Sequence, residues 1–126
     1  MSNLKEQYLN DMKSYLGTGT HNKLMLAILE RVDENNEIVL LKPLKEEISK
    51  ETGLNVTTIN SRIPLLIASG LIIRKSTLES KEAVYVLNPD IFGNKNWNEI
   101  KKISINIEYD LSKNKRNKDI KIEYKG

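Results

Sequence analysis

The chain has 126 residues, no cysteine, one histidine and a formal net charge of +3. That length suits one domain able to bury its own core; lack of cysteine excludes disulfides and thiolate metal sites, and His21 has no companions for a zinc set, so neither metal nor cofactor is expected. No apolar run nears the ~20 residues of a membrane span, and the N-terminus MSNLKEQYLNDMK lacks a signal-peptide stretch, so a cytoplasmic protein with no membrane partner is expected.

Leu4, Tyr8, Met12, Tyr15 and Leu16 share one helical face, and Gly17 ends that helix. Thr18 or Thr20 is expected to cap the next, His21 to Val32, with Leu24, Met25, Ile28, Leu29 and Val32 on one stripe. Asp33 to Asn36 reads as a turn and Ile38 to Leu41 as a short strand. Pro43 suits the first turn of a helix running Leu44 to Thr52 and stopping at Gly53. Asn55 caps a further helix ending at Gly70, with Ile59, Ile63, Leu66 and Ile67 in phase. Pro64 within it removes the bond to the Asn60 carbonyl, so a kinked or short helix is expected. Leu71 to Ser76 and Ala83 to Leu87 flank a polar turn, Thr77 to Glu82, as a β-hairpin. Beyond Asn88-Pro89, Asn98 to Ile103 reads as a short helix. Two alternating runs follow, Ile103 to Tyr109 and Ile120 to Tyr124, either a hairpin with SKNKRNK at its tip or a partly ordered tail.

The segment Leu44 to Leu66 holds the informative constellation, within a DNA-binding stretch expected to run from Lys45 to Leu87. Ser49 lets two helices cross closely, Gly53 tolerates the positive φ of the turn, and Leu54 plugs the gap. Ile59 and Ile63 then face Leu44 and Ile48. Glycine and a two-stranded wing follow, so the fold class is α+β: a winged helix-turn-helix with an N-terminal helix and a strand-rich C-terminal extension. Three regions result: 1–17, an N-terminal helix and candidate homodimer contact; 18–90, the winged helix-turn-helix; and 91–126, the extension. The N-terminal helix could equally fold back on its own core.

Charge is sorted along the chain. Glu30, Asp33, Glu34 and Glu37 face Arg31 alone between Glu30 and Glu37; Gly53 to Ser76 holds Arg62, Arg74 and Lys75 and no acid; Ser112 to Lys118 carries four positive charges and no negative one. A face that meets an anionic polymer would look like this, as would a solvated surface with chance clustering. The expected partner is double-stranded DNA. Val56, Thr57, Asn60, Ser61 and Arg62 lie early on the second helix, where base edges are read. Arg74, Lys75, Ser76 and Lys81 on the wing would meet phosphates or the minor groove. No acid pair, activated nucleophile or phosphate loop occupies those positions, so no catalytic residue is assigned. Glu46, Glu47 and Glu51 read as the solvent face of a helix.

The stretch LKEEISKETGLNVTTINSRIPLLIASGLIIRKSTLESKEAVYVLNPDIFG resembles the RepL-type plasmid replication proteins of Firmicutes. The resemblance spans Thr20 to Ile107, with Tyr85 to Gly93 and Trp97 its family-specific part. It implies DNA binding at a plasmid origin, recruitment of host machinery and no catalysis of its own. A transcriptional repressor would use the same surface on an operator. A protein–protein module would not need the cations Arg62, Arg74 and Lys75 on it.

Overall fold

The computed structural model describes residues 3–17, 21–75 and 83–126, and shows a mixed α+β chain with two small antiparallel sheets. Helix α1, Leu4–Leu16, is capped by Asn3, whose side chain accepts from the Lys5 amide at 2.9 Å. Its Tyr8, Leu9 and Met12 are buried in the same cluster as Ile28, Ile48, Ile59, Ile63 and Leu66. Of the apolar face that suggested a dimer contact, Tyr8 and Met12 are buried inside the chain and Tyr15 and Leu16 are half-buried, while Leu4 stays 71% exposed.

Helix α2, Asn22–Leu29, is shorter than the pattern suggested, and its cap position falls on His21, which makes no side-chain capping bond. Thr18 and Thr20, the expected caps, lie outside the described residues. The turn after it forms as read: the Asp33 carboxylate accepts from the amides of Asn35 at 2.8 Å and Glu37 at 3.0 Å. Strand β1, Glu37–Val39, leads into helix α3, Lys42–Thr52, with Pro43 in the first turn where its missing N–H costs nothing.

Helix α3 stops at Gly53, whose φ of 78° would strain any residue bearing a Cβ. Thr52 locks the turn: its hydroxyl donates to the Ile48 carbonyl at 2.7 Å and accepts from the Leu54 amide at 3.2 Å. Helix α4, Val56–Ala68, begins at Asn55, whose side chain accepts from the Thr58 amide at 2.7 Å. It runs unbroken through Pro64, so of the kinked or short helix expected there the short one does not form. Pro64 and Asn60 are both exposed. Water can therefore satisfy the Asn60 carbonyl, while Ile59, Ile63 and Leu66 hold the opposite face in the core.

Strands β2, Ile72–Lys75, and β3, Val84–Leu87, complete a sheet of order β1-β3-β2. Its register aligns Ile38, Tyr85 and Arg74 on one face and Val39, Val84 and Lys75 on the other.

The C-terminal region corrects two expectations. Helix α5, Pro89–Phe92, is followed by a 3₁₀ turn, Trp97–Glu99, and then by strand β4, Ile100–Asp110, where Asn98 to Ile103 had read as a helix. A helix that short is marginal alone, and pairing with strand β5, Lys115–Tyr124, along nearly its whole length prevails. The tip of this hairpin is Leu111 to Asn114, so Lys115, Arg116 and Lys118 belong to the strand rather than to a loop.

Candidate nucleic-acid interface

Thr57, Asn60, Ser61, Pro64, Leu65 and Ala68 are exposed and lie at helical spacing along the outer face of α4. The first three form the polar half, next to the capped N-terminus. Val56, Thr58 and Arg62 are half-buried and flank this strip. The Ser61 hydroxyl donates to the Thr58 carbonyl at 2.9 Å and keeps its acceptor lone pairs outward. No carboxylate occurs on α4. Positive partial charge at its N-terminus is consequently unopposed on the helix itself. Of the residues expected at base edges, Thr57, Asn60 and Ser61 are brought together in the open, whereas Val56 and Arg62 stand at the border.

The expected backbone-contacting cations separate. Arg74 and Lys75 are neighbours on β2 and so point to opposite faces of the sheet. Arg74 shares its face with Tyr85 and Ile38 but is itself exposed, beyond the buried part of the strand. Lys75 is engaged across the sheet by Glu37. Ser76 and Lys81 lie outside the described residues. Arg74 is left as the described cation of the pair with no carboxylate partner.

Two charged groups read as free surface have structural work instead. Arg31 joins α2 to α3: its guanidinium pairs with Glu51 and Glu47 and donates to the Ala27 carbonyl at 3.0 Å. Glu46, Glu47 and Glu51 are all exposed, as the solvent face of a helix would be, and Glu47 and Glu51 also pair with Arg31. The basic run near the C-terminus divides in the same way. Arg116 donates to the Ser14 carbonyl at 2.7 Å and Lys118 to the Tyr15 carbonyl at 2.6 Å, with the Lys118 ammonium 4.8 Å from the Tyr15 ring centre. Both satisfy carbonyls in the last turn of α1, where partial negative charge accumulates.

The run YVLNPDIFG serves the scaffold that holds this face. Asn88 caps α5 by accepting from the Asp90 amide at 3.0 Å, and its Nδ2 donates to the Gly70 carbonyl at 2.7 Å, tying the end of β3 to the end of α4. Ile91 and Phe92 are buried, and the Tyr8 hydroxyl donates to the Ile91 carbonyl. Tyr8 meets Phe92 edge-on at 6.0 Å and Trp97 at 5.8 Å. Gly93 has φ 78°, and a Cβ there would lie 2.7 Å from the Tyr124 hydroxyl, so the hairpin closes onto bare backbone. Buried Asn36, read from sequence only as a turn residue, donates to the Lys95 carbonyl at 2.9 Å and fixes the segment after Gly93. Nothing local in the sequence distinguishes it from its exposed neighbour Asn35.

Among the described residues no helix is long and apolar enough to cross a membrane, and no group of three acidic or histidine residues could hold a metal ion. The model of one protein family, described as Firmicute plasmid replication protein (RepL), matches residues 2–124. No curated protein and no solved structure matches the chain.

Proposed function

The chain belongs to the Firmicute plasmid replication protein family, RepL, and from that premise we propose that it is a winged helix-turn-helix protein that binds double-stranded DNA at a plasmid origin. The observation that carries the reading is the outer face of α4: Thr57, Asn60 and Ser61 exposed in one strip beside a capped N-terminus on a helix without carboxylates. Asn can pair bidentately with adenine, and hydroxyls can donate or accept at either base edge. Arg74 supplies a phosphate contact beside that strip, and Arg62 one at its flank. The protein then acts by occupying a site and presenting it to other proteins, with no catalytic residues of its own.

Sequencing the DNA that co-purifies with the intact protein tests this. Recovery of repeated plasmid-origin sequence supports the reading. Enrichment of promoter operators instead would make the chain a repressor using the same face. Absence of any enriched duplex would remove the DNA-binding reading altogether.

A further inference from the structure

We propose that the tip of the β4–β5 hairpin is a second contact for the phosphates of duplex DNA, an inference that rests on the DNA-binding function proposed above. The run SKNKRNK contains two kinds of cation. Arg116 and Lys118 turn inward to the last carbonyls of α1. Lys113 and Lys115 are exposed and, among the described residues, pair with no carboxylate. Asp110, the acid nearest the tip, has its carboxylate committed to the turn. It accepts from the Ser112 hydroxyl at 2.6 Å, the Ser112 amide at 3.1 Å and the Lys113 amide at 3.2 Å. Those bonds, all to Oδ1, hold the turn in one shape. Leu111, 89% exposed at the apex, shows that the tip projects clear of the fold.

A series of contacts links this hairpin to α4 through α1, α2 and α3. Arg116 and Lys118 fix the hairpin to the end of α1. The Asn22 side chain, at the start of α2, donates to Asn10 of α1. Lys23 and Leu26 of α2 line one groove with Glu51 and Thr52, the last turn of α3. Gly53, Leu54 and Asn55 lead from there directly into α4. On this proposal Lys113 and Lys115 extend the positive footprint beyond the α4 site, where a duplex longer than that site would pass them.

The test compares the intact protein with a Lys113→Gln/Lys115→Gln variant on two duplexes carrying the same preferred site, one about one helical turn long and one about three turns long. Both substitutions lie on exposed positions, Lys113 in the turn and Lys115 at the start of β5, and circular dichroism checks that the fold is kept. On the long duplex the variant should show a log affinity against log salt slope shallower by about two. On the short duplex the two proteins should coincide. Equal slopes on the long duplex overturn the tip contact while leaving the α4 reading intact. If the intact protein shows no salt-dependent binding to either duplex, the proposed function itself fails and this inference with it.

Discussion

Tyr8 donates its hydroxyl to a main-chain carbonyl on α5 and packs edge-on against Phe92, so one side chain fastens α1 to the segment that follows the sheet. Burial pushes its phenol well above the ordinary range, with Tyr15 adding to the shift. The folded state thus favours the neutral form. Below about pH 10 both folded and unfolded chains keep the proton and this group adds no pH dependence. Above it the unfolded chain ionises first, and stability should fall by up to about 1.4 kcal/mol per pH unit until the folded phenol also ionises. Tyr8→Phe should cost roughly 1 kcal/mol at neutral pH and flatten that alkaline decline, which urea unfolding between pH 8 and 11 would reveal. Arg74 and Lys75 make a second comparison at this scale. Arg74→Ala should flatten the salt dependence of duplex binding by about one unit. Lys75→Ala should change it less, because Glu37 already holds that ammonium. Equal effects in a salt titration would place both cations on the DNA.

At the scale of elements, the pair α3–α4 was legible because each part has its own local signal: Pro43 at a helix start, Gly53 at the turn, Asn55 at a cap, and isoleucines at helical spacing. Ile59→Ala should therefore cost on the order of 2–5 kcal/mol in chemical denaturation, since the side chain is fully buried where α4 meets the core. A loss under 1 kcal/mol would mean the two helices do not depend on that contact. Asn98 to Ile103 was misread for the opposite reason. Its local preference is weak, and its strand state comes from a partner more than fifteen residues away, Ile103 opposite Ile122. The division of labour inside SKNKRNK was equally invisible, because which cations are inward depends on where α1 ends. Replacing Arg116 and Lys118 together by Gln should loosen the hairpin from α1 and raise amide exchange in β5 before global unfolding. Unchanged exchange would show that Ile103, Ile105 and Ile120 alone hold it.

Over the whole molecule, the run that carries the family resemblance and the residues proposed to read bases occupy different places. Tyr85 to Gly93 and Trp97 organise the joint between α1, the sheet and the C-terminal hairpin. Thr57, Asn60 and Ser61 stand free on α4. A motif that identifies a family by its scaffold need not include the groups that touch a ligand. The helix-turn-helix pattern pointed to the candidate interface, and the family resemblance is borne out by a match over residues 2–124. The central claim is that α4 chooses the sequence. The most direct measurement is fluorescence anisotropy of the intact protein and of an Asn60→Ala/Ser61→Ala variant on specific and scrambled duplexes. The account predicts that the variant loses roughly 1–3 kcal/mol per lost base contact on the preferred site, keeps its affinity for the scrambled duplex, and retains its salt slope. Undiminished preference for the specific duplex in the variant would contradict it.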